Sequence, residues 1–145
     1  MIKNYMLLGA LSILLTSCAS AQSVVVPLPT TLAAQCTAGP GGECPVSISV
    51  NGSNCKPQPE YYKVAPGVTI VWTLSPSDWE FEQNGITFKD PSKADKAFEN
   101  SNKASAREWR SRVRGAPQAG QYEYDVRVRN TRTGATCVVD PGIWI

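Results

Sequence analysis

Gln121-Tyr-Glu-Tyr-Asp-Val-Arg-Val-Arg129 alternates apolar and charged side chains over its whole length. Successive side chains of a β-strand point to opposite faces, so this pattern predicts a strand with one apolar face and one charged face. Tyrosine and valine also suit a half-buried pleated surface. Turn residues follow at 130–135, and residues 136–139 predict a return strand. The segment therefore predicts a β-hairpin near the end of the chain.

The same alternation recurs in short runs along the rest of the chain. Apolar and polar residues alternate at 46–50, 68–74, 79–82, 86–88 and 109–114, and an apolar run occupies 143–145. Turn signals such as Asn51-Gly52 and Pro66-Gly67 separate these runs. Residues 90–98 predict one or two helical turns, and residues 100–105 predict a loop. About seven short strands with little helix predict an all-β fold, an antiparallel β-sandwich.

Several of these runs together resemble a known family. The segment Val64-Ala-Pro-Gly-Val-Thr-Ile-Val-Trp72, the later residues 81–88 and Gly120-Gln-Tyr-Glu-Tyr-Asp-Val126 resemble the cupredoxin-like sandwich. In that family a Pro-Gly turn feeds a central strand, and a Gly-x-Tyr-x-Tyr strand precedes the ligand loop. The resemblance implies the same scaffold here, and an immunoglobulin-like arrangement remains the alternative. Cupredoxins hold copper with two histidines and a cysteine, whereas this chain has no histidine. We therefore expect no copper, no other metal and no cofactor.

The N-terminus carries an export signal. Residues 1–15 contain one cation, Lys3, followed by an apolar run that is too short to span a bilayer, which predicts a signal peptide over residues 1–17. Leu15-Thr-Ser-Cys18 resembles the bacterial lipobox, in which Cys18 becomes the lipidated first residue of the mature protein. The small residues 19–21 also fit ordinary cleavage before Gln22, which would give a soluble periplasmic or secreted protein. The lipobox is the more specific match.

The lipobox resemblance also implies a location. Ala19 at the second mature position implies sorting to the outer membrane, with the protein facing the periplasm and contacting the membrane through its lipid anchor only. Residues 18–43 are rich in alanine, serine, threonine, proline and glycine and carry no charge before Glu43, which predicts a flexible tether. The folded domain is then predicted at residues 44–145.

The cysteines support export. Apart from Cys18, the chain has four: Cys36, Cys44, Cys55 and Cys137. An even number in an oxidising compartment predicts two disulfides, and the absence of a Cys-x-x-Cys pair argues against a metal site. Three pairings exist for four cysteines. We favour Cys36–Cys44 with Cys55–Cys137, because the second bond ties the start of the domain to its last hairpin.

The sequence gives little basis for catalysis. Without histidine, the chain has no Ser-His-Asp or Cys-His arrangement. Two carboxylate pairs, Glu80 with Glu82 and Glu123 with Asp125, lie two residues apart on predicted strand faces. A glycosidase also uses two carboxylates, but neighbouring arginines make these pairs typical of a solvated strand face. We therefore expect that the protein is not an enzyme and has no catalytic residues.

A basic segment is the candidate binding site. Arg107, Arg110, Arg112 and Arg114 cluster around Trp109, with only Glu108 opposing them. Such a segment suits an acidic envelope protein or an anionic glycan. Nucleic acid is not expected, because the formal net charge is only +2. The alternative is a charged edge strand that prevents edge-to-edge pairing of sheets.

The sequence thus predicts a non-enzymatic cell-envelope binding or structural accessory lipoprotein. One alternative is a periplasmic inhibitor that blocks an envelope-attacking enzyme with the arginine-rich segment. Another is a glycan-binding module, for which Trp79 and Trp109 are candidate sugar-stacking residues or, equally, core residues.

Overall fold

The computed structural model describes residues 35–36 and 41–145. The predicted signal peptide, the lipobox cysteine Cys18 and residues 18–34 and 37–40 of the predicted tether lie outside the described residues. In chain order the described elements are β1 (Gln35–Cys36), β2 (Glu43–Asn51), β3 (Asn54–Gln58), β4 (Tyr61–Val64), β5 (Thr69–Leu74), β6 (Trp79–Phe88), α1 (Pro91–Ala94), β7 (Phe98–Ser105), β8 (Glu108–Val113), β9 (Gln121–Asn130), β10 (Thr136–Val139) and β11 (Gly142–Trp144).

The strands form two sheets. Sheet I has the order β1-β4-β11-β9-β10, and β6 also pairs with β9; sheet II has the order β3-β2-β5-β8-β7. The predicted all-β class is confirmed, but the prediction of purely antiparallel pairing is wrong. β1 and β11 both run parallel to β4, and β2 runs parallel to β5. Alternation along one strand shows which face is buried, and it does not show which strand lies alongside.

The described chain has eleven strands rather than about seven. Two of the additional strands, β3 and β4, lie on either side of Pro59, between the predicted strand runs at 46–50 and 68–74. Pro57 lies in β3 at the edge of sheet II, where a missing N–H is tolerated. β1 is a further short strand and lies inside the predicted tether. Its residues Gln35–Cys36 pair with β4, so the chain joins the folded domain before residue 44.

Two further segments differ from the prediction. β7 occupies the predicted loop at 100–105; it is the other edge strand of sheet II and six of its eight residues are exposed, so it has no alternation to detect. β6 is one strand with a register shift between Phe81 and Ile86, not two strands separated by a turn. Gly85 permits this irregularity, because a Cβ there would lie 2.8 Å from the Phe81 Cβ. The predicted helix is reduced to Pro91–Ala94, capped by Asp90.

The two sheets meet in one hydrophobic core, and three fully buried aromatic side chains in it carry polar atoms. Trp72 of sheet II donates from Nε1 to the Tyr124 hydroxyl of sheet I at 3.0 Å. The Tyr124 and Tyr62 hydroxyls lie 3.3 Å apart. Burial raises the pKa of Tyr124 to about 12, so its hydroxyl stays neutral at ordinary pH. The polar atoms of these large side chains are therefore paired with one another across the core.

Both disulfides also connect the sheets. Cys36–Cys44 joins β1 of sheet I to β2 of sheet II, with the Cα atoms 5.6 Å apart. Cys55–Cys137 joins β3 of sheet II to β10 of sheet I, with the Cα atoms 6.0 Å apart. These are the two pairings favoured from the sequence. Each bond limits how far the sheets separate.

Removing the disulfides should destabilise the protein by different amounts. Cys55–Cys137 spans 82 residues and Cys36–Cys44 spans 8. In the chain-entropy model the long bond contributes about 4 kcal/mol and the short one about 2–3 kcal/mol. The Cys55→Ser/Cys137→Ser variant should therefore lose more unfolding free energy in urea than the Cys36→Ser/Cys44→Ser variant. Equal losses, or a larger loss for the short bond, would contradict this.

Removing the Tyr124 hydroxyl should lower the unfolding free energy more than removing the hydroxyl of the exposed Tyr61. Tyr124→Phe leaves the buried Trp72 Nε1 without its acceptor, which costs about 1–3 kcal/mol of unfolding free energy. Tyr61→Phe removes a hydroxyl from a side chain that is 37% exposed and should change stability little. Urea unfolding of both variants gives the comparison, and indistinguishable losses would show that the buried hydrogen bond contributes nothing measurable.

Candidate functional site

The arginine-rich segment lies on β8 and directly after it. Ser111 and Val113 point into the core, while Arg110 and Arg112 lie on the outer face of sheet II, with Arg114 next along. The three guanidinium side chains are 40%, 49% and 43% exposed. The sequence alternation therefore placed these arginines on the correct face. β8 pairs with β5 on one side and β7 on the other, so the alternative that it is an edge strand is wrong.

Arg110 is held by two carboxylates. Its Nε donates to Glu108 at 2.6 Å, and a terminal nitrogen donates to Glu43 of β2 at 2.8 Å. Both bonds raise the pKa of Arg110 above its ordinary value, and the bond to Glu108 has the larger effect. Glu43 is 67 residues away in the chain, and the parallel pairing of β2 with β5 brings it to this face.

A second carboxylate lies between the other two arginines. Glu99 of β7 is 3.2 Å from Arg114 and 3.8 Å from Arg112. The outer face of sheet II therefore carries arginines interleaved with glutamates from three strands. The expectation that only Glu108 opposes the arginines is wrong, because the sequence does not show which strands neighbour β8. Arg107 lies outside this network: it is exposed and forms no ion pair within the described part of the chain.

The two tryptophans proposed for sugar stacking are core residues. Trp79 is 7% exposed and Trp109 is 6% exposed. Trp109 Nε1 donates to Ser101 Oγ at 3.1 Å, and its ring meets Phe81 edge-on with centroids 6.1 Å apart. Trp109 therefore lies on the core face of β8, whereas the arginines lie on its outer face. Trp79 and Trp109 do not form a surface platform.

The carboxylate pairs lie on the outer side of sheet I, and one member of each pair is bound to an arginine. Glu80 accepts from Arg129 at 2.7 Å, and this hydrogen bond lowers the pKa of Glu80. Asp125 accepts from Arg127 at 2.6 Å. A general acid needs a raised carboxyl pKa, whereas the pKa of Glu80 is shifted the other way. The arrangement is that of a solvated strand face.

Sequence reasoning missed an aromatic pair on the outer face of sheet I. Tyr61 and Trp144 lie on the adjacent parallel strands β4 and β11, with ring centroids 5.7 Å apart and planes at 57°. Gly142 lies opposite Tyr61, and a Cβ there would come within 3.1 Å of the Tyr61 ring. Because Gly142 has no side chain, the Tyr61 and Trp144 rings can lie close to the backbone of β11 at this position. The apolar run at 143–145 was a usable signal, since burying Ile143 turns Trp144 outward.

Carboxylates surround the tyrosine of this pair. The pKa of Tyr61 is raised, first by partial burial and then by the negative charges of Glu60, Asp140 and Glu123. Lys89 bonds to Asp140 at 2.8 Å and lies 3.6 Å from Glu123. The surface is thus aromatic at its centre and mainly acidic beside Tyr61.

The comparisons with known proteins assign this chain to no family. No protein-family model matches the sequence, and no curated protein matches it significantly. Across residues 35–36 and 41–145, no three His, Cys, Asp or Glu side chains are grouped so that they could hold a metal ion. In the same residues no helix is long and apolar enough to cross a membrane. The candidate binding surfaces on the two outer faces are therefore argued from geometry and charge alone.

Charge reversal tests the arginine–glutamate network. Arg110→Glu with Arg112→Glu places new carboxylates beside Glu43, Glu99 and Glu108. The melting temperature should fall at low salt and recover towards that of the wild type at high salt, because salt screens the repulsion.

Arg107→Glu with Arg132→Glu is the matched control, since neither arginine is ion-paired in the described part of the chain. That variant should melt close to the wild type at both salt concentrations. Equal melting temperatures for the two double variants would contradict the placement of Arg110 and Arg112 among these glutamates.

Proposed function

We propose that this protein is a non-enzymatic binding or structural accessory lipoprotein of the bacterial cell envelope. Its domain would be carried on a tether from lipidated Cys18, at the periplasmic side of the outer membrane. The observation that carries the proposal is the pair of disulfides that join the two sheets. Such bonds persist in oxidising compartments such as the periplasm, which agrees with the export signal predicted at the N-terminus.

For the fold we propose a β-sandwich of the cupredoxin-like or immunoglobulin-like type. Two sheets around one core support it, as does a hydrogen bond at the start of β9. There the Tyr122 hydroxyl donates to the Gln118 carbonyl, four residues upstream. This contact has the form of the tyrosine corner found in immunoglobulin-like sandwiches. The scaffold would serve binding rather than electron transfer, since the chain has no histidine for a copper site.

The arginines of sheet II would recognise an acidic envelope protein or an anionic glycan. Arg112 is the most exposed of the three paired arginines, and its carboxylate neighbour is the most distant, at 3.8 Å. Exposed ion pairs contribute little stability, so a partner's carboxylate or sulfate can compete with Glu99 for this guanidinium. The same surface would serve in the inhibitor alternative, in which the partner is an attacking enzyme with an acidic cleft.

The anchor is the most direct test of the proposed function. The wild-type protein should fractionate with the outer membrane, and mass spectrometry should find its mature N-terminus at a lipidated Cys18. Cys18→Ser should leave the protein unprocessed or release it from the membrane, because no thiol remains at the modification site.

Cys36→Ser with Cys44→Ser is the matched control. It removes the Cys36–Cys44 disulfide from the domain without changing Cys18, and it should leave the protein in the membrane fraction. A mature N-terminus at Gln22 would contradict the lipoprotein proposal.

A further inference from the structure

We propose that the outer face of sheet I binds an arginine-bearing segment of a basic partner protein. The site is the Tyr61–Trp144 surface, which we define as the Tyr61 and Trp144 rings with the carboxylates of Glu60, Glu123 and Asp140. This goes beyond the proposed function, because it concerns a different face, different residues and a partner of opposite charge.

The aromatic pair offers ring surface to a ligand. Tyr61 and Val138 are the exposed large hydrophobic side chains in the described part of the chain, and Trp144 is half-buried. The 57° angle between the Tyr61 and Trp144 planes means that the rings do not stack on each other. A guanidinium stacks on an aromatic face and is attracted by the ring's negative centre. Tyrosine and tryptophan are also enriched at the energetic centres of protein interfaces.

The carboxylates lie where such a guanidinium would need them. Glu60 directly precedes Tyr61, and Glu123 lies across Gly142 from it, since Gly142 pairs with Tyr61 on one side and with Glu123 on the other. Asp140 lies two residues before Gly142. Their combined charge reaches the tyrosine, as the raised pKa of Tyr61 shows after the larger effect of burial. A cation over the Tyr61 ring would therefore meet negative charge on more than one side.

The cations of this surface do not cancel its charge. Lys89 is shared between Asp140 and Glu123, while Glu60 has no ion pair within the described residues. Lys63 lies opposite Trp144, at the other end of the aromatic pair from Glu60. A third lysine, Lys93, donates to the Gln121 carbonyl on the Trp144 side of the pair. Beside Tyr61 the three carboxylates therefore face Lys89 alone, and Glu60, which is hydrogen-bonded to the Tyr61 hydroxyl, forms no ion pair that a ligand would have to break. Lys63 should oppose a bound cation.

Arginine fits this arrangement better than other ligands. Its planar guanidinium stacks on a ring and also presents a fork of donors that pairs with a carboxylate. The rounded ammonium of lysine does not stack in this way. A neutral saccharide would use the rings and gain nothing from the carboxylates' charge. The charge complementarity thus selects a basic protein segment that presents arginine.

The test uses the intact mature protein in detergent and a fluorescein-labelled, capped peptide of alternating glycine and arginine. A second peptide carries citrulline, which keeps the shape of arginine without its charge, and a third carries lysine. Fluorescence anisotropy should show the arginine peptide binding about tenfold or more tightly than the citrulline peptide, with the lysine peptide between them. Affinity for the arginine peptide should fall as salt rises.

Variants of the protein locate the binding site. Glu60→Gln and Tyr61→Ala should each weaken binding about three- to tenfold, and Lys63→Gln should strengthen it. Glu82→Gln, which neutralises a carboxylate on β6 with no ion pair in the described residues, is the matched control and should have no effect. Glu60→Gln should weaken binding and Lys63→Gln should strengthen it, although both replace exposed side chains. Because misfolding would not strengthen binding, opposite effects on affinity cannot result from a loss of folding.

Three results would overturn the proposal. One is equal binding of the arginine and citrulline peptides, or no binding of either. Another is an equal effect of Glu60→Gln and Glu82→Gln. The third is Tyr61-dependent binding of a neutral glucan oligosaccharide in place of the arginine peptide, which would identify the Tyr61–Trp144 surface as a glycan site.

Discussion

The hydrogen bond from Trp72 to Tyr124 is the contact on which the arrangement of the two sheets depends. It crosses the core from β5 to β9, and the Tyr62 hydroxyl of β4 completes the group. Buried polar atoms are expensive unless paired, so these three side chains favour one relative position of the sheets. The two disulfides stabilise the same arrangement, because one joins β1 to β2 and the other joins β3 to β10. The shared core thereby fixes the positions of the two outer sheet faces relative to each other.

The two outer faces differ in chemistry, although the same alternation builds both. On sheet II, β8 buries Ser111 and Val113 and turns its arginines outward to glutamates of β2, β7 and β8. On sheet I, β4 and β11 turn Tyr61 and Trp144 outward among carboxylates. A charge-paired face and an aromatic, acidic face suit partners of opposite kinds. In the proposed function, the shared core would hold both surfaces in place for binding.

The sequence predicted what depends on local pattern. Alternation identified β9 and placed the β8 arginines outward, and the turn residues after β9 predicted the return strand β10. The number and positions of the cysteines led to both disulfide pairings. The sequence did not show β7, whose exposed polar residues have no periodicity, or β3, where Pro57 lies at a sheet edge. It also missed the contacts that long-range strand pairing creates, such as Glu43 with Arg110 and Tyr61 with Trp144. Those depend on which strands are neighbours, and alternation within one strand carries no such information.

Hydrogen exchange of the four tryptophan indole N–H groups tests most directly whether Trp72 and Tyr124 join the sheets into one unit. The Trp72 indole should exchange most slowly, with the opening free energy of the core amides of both β5 and β9, because only global unfolding exposes it. Trp144 Nε1 is also buried, but it has no hydrogen-bond partner within the described residues and belongs to a half-buried side chain, so it should exchange faster through a local opening. A Trp72 indole that exchanges as fast as that of Trp144, or different opening free energies for β5 and β9, would contradict a single unit held together through this contact.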